Sequence, residues 1–472
     1  MRWYINNKKL KEMEDTIEEK VSVYELIIKD YIKMINSQLH IVPISNNIVS
    51  AQVLADSKQV DAYAEKHGKK IDEDGKKGYR MSVEHGMVFE RMMRNLNSSI
   101  QAFSMVGTNA VIGMVSKYDG FLGRLTRQMF EDKPEILSTS DKEFKASDIL
   151  NYADLNELKE LIAEKEVETL LRKSHTDQLK TLEGKFGVKL EPTKVLPEFV
   201  EIMERRNLFV HCNGVVSRQY LSECKKFGYK IPDDLKAGAV LKADMEYVEN
   251  AYRVVFLVGI MLGYVLWYKM RPNEGKDLIN SISAVAYDLI KDDQYELALD
   301  VIDFALQNKS WNKEIIHVHT LVFRINKALS FHLRGLQDEC VKIVDSIDVT
   351  GAEPVFHLAV AVLKNEYEKA YAIMDRIGRD PELRVDYKIW PLFTNIRKEK
   401  AFIDKYRDIY QEEYECEEAR SSKFEDVIKS AMAMVEKLNK EETTEMQDGE
   451  AEVVEAEVVE EQQTEIESAV SE

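Results

Sequence analysis

Apolar residues recur along most of the chain at the three- and four-residue spacing that places them on one face of an amphipathic helix. Near the start, Tyr24, Ile28 and Tyr31 follow this spacing. The pattern predicts a helix that ends before Pro43, because proline removes a backbone donor from a helix interior. The same spacing predicts further, separate helices over residues 82–96, 111–130 and 155–171.

A stretch rich in charge and glycine interrupts this pattern over residues 65–80, with the sequence EKHGKKIDEDGKKGYR. Glycine and mixed charge are typical of exposed connections. We therefore predict a loop here rather than an ordered element. A boundary at residue 80 separates an N-terminal helical extension (1–80) from a helical bundle (81–272).

Residues 254–268 form an uncharged segment, VVFLVGIMLGYVLWY, between Arg253 and Lys269. A membrane-spanning helix needs about 20 apolar residues, so a segment of this length is more typical of a helix buried in a protein core. We expect it to close the bundle. A membrane-associated regulator that uses this segment is an alternative interpretation.

Short amphipathic helices follow in pairs over residues 273–415. The fragments QYELA and EYEKA, which begin at Gln294 and Glu366, lie 72 residues apart. This distance is close to two repeats of ~34 residues, the tetratricopeptide period. The region resembles a degenerate tetratricopeptide array of three or four helix pairs, with closing helices over 390–406 and a terminal helix over 416–440.

Composition agrees with an all-α fold, because only 9 prolines and 20 glycines are spread over 472 residues. The formal net charge is −19, and residues 441–472 hold 13 acidic residues without Lys or Arg, which leaves −6 for the rest. A tail this acidic buries too little apolar surface to fold, and we predict that it is disordered. The nearly balanced remainder neither indicates nor excludes a nucleic-acid partner.

The four cysteines, Cys212, Cys224, Cys340 and Cys416, lie far apart and have no ligand spacing. They indicate neither a zinc site nor a disulfide framework. The first 20 residues carry charges but no apolar core of a signal peptide. We therefore expect reduced thiols, no metal and a cytoplasmic protein.

Arg206 and His211 are the residues best suited to chemistry, near the end of a predicted helix that begins around Pro197 and stops at Asn213-Gly214. A neutral imidazole can accept a proton from a ribose 2′-hydroxyl, and a guanidinium can stabilise charge on phosphate oxygens. Five positions on a helix separate two side chains by about 140°. The pair therefore need not converge within one chain.

The surrounding sequence EIMERRNLFVHCNGVVSRQYL, residues 201–221, resembles the signature of HEPN domains, in which an RNxxxH motif closes a helix of an α-bundle. The upstream segments YDGFLGRLTRQMF and VETLLRKSHTDQLKTLEGKFGV are similar to the larger bacterial members, and the resemblance covers about residues 82–270. It implies a metal-independent endoribonuclease that needs no cofactor and acts on RNA as a homodimer. Carried over, Arg206 and His211 are the catalytic pair, and Asn207 orients them or contacts phosphate.

Three more residues are predicted to support the site. By the same resemblance Asp119 would hold Arg206 or His211, and the basic side chains of Arg205 and Lys173 are candidates for contacting RNA. Proteins of this kind resemble toxins and anti-phage effectors, and the helical array would bind a partner or trigger. A second hypothesis makes the chain a catalytically silent scaffold that binds a protein partner through the array.

Overall fold

The computed structural model describes residues 21–73, 76–139, 154–188, 195–415 and 457–459. Helices make up most of these residues, which confirms the predicted all-α class. The helices are α1 (Val23–His67), α2 (Val83–Asp132), α3 (Leu155–Leu171), α4 (His175–Phe186), α5 (Leu196–Cys212), α6 (Arg218–Lys226), α7 (Met245–Met270), α8 (Gly275–Lys291), α9 (Tyr295–Gln307), α10 (His317–Leu333), α11 (Gln337–Asp345), α12 (Pro354–Leu363), α13 (Tyr367–Ile377), α14 (Pro381–Ile389) and α15 (Lys400–Tyr410). The predicted terminal helix over 416–440 lies outside the described residues.

The first two helices are longer than predicted. α1 is 45 residues long and continues through Pro43, so the predicted break is wrong. Beyond the proline, Val53 and Val60 are buried at a spacing of two helical turns, and this apolar packing offsets the backbone hydrogen bond that proline cannot donate. α2 likewise runs unbroken for 50 residues where two helices were predicted.

The predicted loop over 65–80 is an antiparallel hairpin of β1 (Gly68–Glu73) and β2 (Lys76–Met81). Asp74-Gly75 stands between the two strands in the sequence, and Asp-Gly is a strong hairpin signal. The loop prediction was wrong because glycine and mixed charge were taken as marks of an exposed connection. A third strand, β3 (Glu457–Val459), pairs antiparallel with β2 inside the tail for which no structure was predicted.

The chain divides into two compact units. Unit 1 comprises Met1–Lys33, Lys117–Val200 and Arg253–Glu418, and unit 2 comprises Met34–Ser116, Glu201–Tyr252 and Ala419–Glu472. The division falls within helices α1, α2, α5 and α7.

In unit 1 the apolar part of α7 packs against the first turns of α1. The Tyr31 hydroxyl donates to the Val255 carbonyl at 2.7 Å, and Gly259 leaves room for the Tyr31 ring. α7 is the one helix within the described ranges that is long and apolar enough to cross a membrane, and 78% of its apolar window is buried inside the protein. This burial agrees with the predicted core helix.

Three helix pairs in unit 1, α8–α9, α10–α11 and α12–α13, share one turn. The middle residue of each turn, Asp293, Gly335 or Asn365, has a positive φ of 60°, 75° or 57°. The next backbone N–H then donates to the carbonyl five residues earlier: Gln294 to Leu289 at 2.8 Å, Leu336 to Phe331 at 3.0 Å, and Glu366 to Ala361 at 2.9 Å. The 72-residue alignment thus corresponds to a repeated local structure.

Unit 1 also contains three fully buried tryptophans, Trp267, Trp311 and Trp390. Trp267 donates through Nε1 to Glu274 Oε2 at 2.6 Å, and Trp311 donates to the Ala305 carbonyl at 3.1 Å. These side chains anchor α7 and the following helix pairs through large apolar contacts.

In unit 2 the hairpin packs on α1 and α2. Their shared core consists of buried residues from all three elements: Val53, Val60, Ala64, Met81, Phe89 and Leu96. Further along α2, Gly107 lies so close to the Ala243 carbonyl that a Cβ there would overlap its oxygen. This contact fixes the segment that leads into α7.

Candidate functional site

The RNxxxH motif occupies the last two turns of α5, which ends at Cys212. Asn213 and Gly214 follow with positive φ values of 47° and 78°, so the predicted helix stop is confirmed. Glycine is required at 214, because a Cβ there would lie 2.6 Å from the Leu241 carbonyl oxygen.

A short antiparallel pairing holds the segment after α5 in place. Val215 and Val240 form a β-bridge. The flanking backbone hydrogen bonds run from Val216 to Ala239 at 2.8 Å, from Gly238 to Val216 at 2.9 Å and from Leu241 to Gly214 at 3.0 Å. The chain beside His211 is therefore fixed on both sides of the turn.

The three motif side chains lie at the surface of unit 2. His211 is exposed, and Arg206 and Asn207 are half-buried. Arg206 Nη1 donates to Asn207 Oδ1 at 3.2 Å, so the amide and the guanidinium are in direct contact. Asn207 lies one turn before His211 and shares its helix face.

One turn before the motif, α5 carries a buried polar network that the sequence did not reveal. The Glu201 carboxylate, 1% exposed, accepts hydrogen bonds from Arg205 Nε at 2.6 Å, Tyr220 at 2.7 Å and Tyr247 at 2.8 Å. The Arg205 guanidinium lies 3.9 Å from the centre of the Tyr247 ring and also donates to the Lys242 carbonyl. The network ties α5 to α6 and to the start of α7.

The electrostatics of this network follow from burial and from the Glu201 charge. Burial is the main cause that raises the pKa of both Tyr220 and Tyr247, and the negative charge of Glu201 is the second. Both hydroxyls therefore remain donors. Burial alone would lower the pKa of Arg205, but Tyr247 and Glu201 raise it. Three donors therefore converge on the Glu201 carboxylate, and one of them is the charged guanidinium of Arg205.

An apolar cluster supports the motif from the side of α6. It consists of Leu208 of the motif, Val216, Tyr220 and Cys224. Burial raises the pKa of the Cys224 thiol to about 12, with Glu201 as the next cause, so this cysteine is an inert core residue.

The supporting residues have partners of their own in the structure. Asp119 Oδ1 lies 2.9 Å from Nε2 of His175, which is buried. Lys173 is exposed and donates to Thr181 at 3.0 Å. Arg205 belongs to the Glu201 network. The roles predicted for Asp119, Lys173 and Arg205 toward Arg206, His211 or RNA stay predictions.

Of the network, only the four-residue spacing between Glu201 and Arg205 was visible in the sequence, since Tyr220 and Tyr247 are distant along the chain. Among the described residues, no group of three or more His, Cys, Asp or Glu is arranged to hold a metal ion.

The fold and the site together define an all-α protein with a polar helix end exposed on one unit. Comparison of the chain with protein-family models, with curated proteins and with solved structures gives no match.

Proposed function

We propose that the chain is a metal-independent, HEPN-like endoribonuclease that cleaves RNA with Arg206, Asn207 and His211. The observation that supports this proposal is the exposure of His211 at the end of α5, with Arg206 bonded to Asn207 one turn earlier. A general base must reach its substrate, and a buried, fully satisfied histidine would favour a structural role.

In the proposed reaction, His211 accepts the proton of a ribose 2′-hydroxyl. The 2′-oxygen attacks the adjacent phosphorus, and the bond to the 5′-oxygen breaks as that oxygen receives a proton from water, while His211 returns its own proton to the solvent. Arg206 stabilises the negative charge that develops on the non-bridging oxygens, and Asn207 orients the guanidinium. The products are a 2′,3′-cyclic phosphate and a 5′-hydroxyl.

A homodimer would complete this site. Arg206 and His211 point about 140° apart on one helix, so a second copy is needed to place an arginine opposite a histidine. Three exposed apolar residues accompany the motif: Val210 at 47% exposure, Val215 at 40% and Val240 at 62%. Apolar residues exposed around a polar site are typical of an interface.

The experiment that tests the proposal is cleavage of total RNA by the purified protein in EDTA, with the His211→Ala and Arg206→Ala variants beside it. Each substitution is expected to lower cleavage by about 100-fold or more. His317→Ala replaces another exposed histidine, on α10, and is the matched control. Circular dichroism checks that every variant is folded.

Loss of cleavage in both site variants but not in the control supports the proposal, and 2′,3′-cyclic phosphate ends would identify the reaction. Cleavage that survives in His211→Ala contradicts it. In cells, the toxin or anti-phage role predicts growth arrest by the wild-type chain that His211→Ala relieves.

A second candidate function is that of an interaction protein. The three helix pairs with one shared turn support it, because stacked helix pairs present extended surfaces to a protein partner. In this case His211→Ala leaves the cellular function intact, whereas substitutions on the exposed faces of α8–α13 abolish it.

A further inference from the structure

The outer edge of the hairpin is the feature that carries a further inference. In the sheet order β1-β2-β3, strand β2 lies between the hairpin partner and the tail strand. A hairpin of two strands is only marginally stable by itself, and a free edge exposes unpaired N–H and C=O groups. The tail strand removes that exposed edge.

We propose that the edge of β2 is a docking site for a short acidic and apolar β-strand, and that the tail of this chain carries two interchangeable copies of that ligand. The proposal does not depend on ribonuclease activity. It concerns what the hairpin binds.

The register identifies the backbone groups involved. β2 and β3 place Gly78 opposite Val459, Tyr79 opposite Val458 and Arg80 opposite Glu457. Because two residues connect the hairpin strands, Glu73 and Lys76 form a hydrogen-bonded pair, and bonded pairs then alternate. The N–H groups of Gly78 and Arg80 therefore point to β1, and that of Tyr79 points to β3.

Charge complements this pairing. β2 contains Lys76, Lys77 and Arg80 and no acidic residue, whereas residues 450–460, EAEVVEAEVVE, contain five glutamates and no basic residue. The register sets the basic residue Arg80 opposite the acidic residue Glu457. Opposite charges across strands are favourable, and complementary charge selects the partner.

The tail sequence provides a second register. The five residues EAEVV occur at 450–454 and again at 455–459. Glu452-Val453-Val454 has the same residues, in the same order, as Glu457-Val458-Val459. A shift by one repeat preserves every residue pair, and the tether keeps either copy at high effective concentration.

Hydrogen exchange of the full-length chain tests the docking site. Val458→Pro removes the N–H that faces Tyr79 but leaves the first repeat, so protection of the Tyr79 amide should persist. Val453→Pro with Val458→Pro removes both repeats, and the Tyr79 amide should then exchange about tenfold faster or more. The Gly78 and Arg80 amides, bonded to β1, are internal controls whose exchange should change less than that of the Tyr79 amide.

Two further measurements complete the test. Gln462→Pro, outside both repeats, should have no effect, and a peptide of residues 450–460 added to the double variant should restore protection. Unchanged Tyr79 exchange in the double variant overturns the docking site. Loss of protection with Val458→Pro alone overturns the two registers, and protection that rises with protein concentration overturns pairing within one chain.

Discussion

Removing the Glu201 carboxylate is predicted to destabilise unit 2 strongly. Glu201→Leu leaves the Arg205 guanidinium, with its side chain 12% exposed, without a counter-charge, and it deprives two tyrosine hydroxyls of their acceptor. Breaking a buried ion pair from one side costs about 3–5 kcal/mol. The free energy of unfolding of a whole domain is about 5–15 kcal/mol, so this cost is a large share of it.

The double variant Glu201→Leu with Arg205→Met is predicted to be more stable than Glu201→Leu alone. Replacement of both partners of a buried pair by apolar side chains is often close to neutral. The double variant still leaves the Tyr220 and Tyr247 hydroxyls without their acceptor, and an unsatisfied buried hydroxyl such as that of Tyr220 costs about 1–3 kcal/mol. Glu201→Gln, which keeps one acceptor oxygen, should lie between wild type and Glu201→Leu.

Urea unfolding followed by circular dichroism, together with exchange of the α6 amides, measures these differences. A cost below about 1 kcal/mol for Glu201→Leu would refute the reasoning, since the pair would then be solvated. A double variant whose loss equals the sum of the single losses would also refute it, because the two residues would then be uncoupled.

Two other substitutions and one pH dependence test the packing and electrostatics. Gly107→Ala should cost about 1–3 kcal/mol in thermal unfolding, because its Cβ overlaps the Ala243 carbonyl, whereas Gly120→Ala, exposed in α2 with no atom within 4 Å, should stabilise by about 0.5–1 kcal/mol. The bond from Arg384 lowers the pKa of Glu412 to about 2. The stabilisation from the ionised Glu412 carboxylate is complete above its ordinary pKa of 4.5 and is lost as the pH falls toward 2. The difference in unfolding free energy between wild type and Glu412→Gln should therefore disappear over this pH range. A difference that stays constant would contradict the assignment.

Features set by local chemistry could be predicted from the sequence. The end of α5 at Asn213-Gly214 follows from residues that tolerate a positive φ. α3 was predicted with its observed bounds, Leu155–Leu171. The repeated turns at Asp293 and Asn365 lie just before the two fragments that the sequence aligned.

Features set by tertiary contacts could not be predicted from the sequence. The continuation of α1 through Pro43 depends on packing that outweighs the local preference for a break. The hairpin was missed because Asp74-Gly75 can be read either as a loop or as a turn between strands. The partners of Glu201 come from two other helices, and no spacing within α5 indicates them.

The positions of the tryptophans make intrinsic fluorescence a reporter of one unit only. Trp267, Trp311 and Trp390 lie in unit 1, and the described part of unit 2 contains no tryptophan. Intrinsic fluorescence therefore follows the melting of unit 1, whereas ellipticity sums over both. If the fluorescence and ellipticity transitions coincide, the helices shared by the two units make the chain unfold cooperatively. If the fluorescence transition comes after the ellipticity transition, unit 2 unfolds first, without a fluorescence signal.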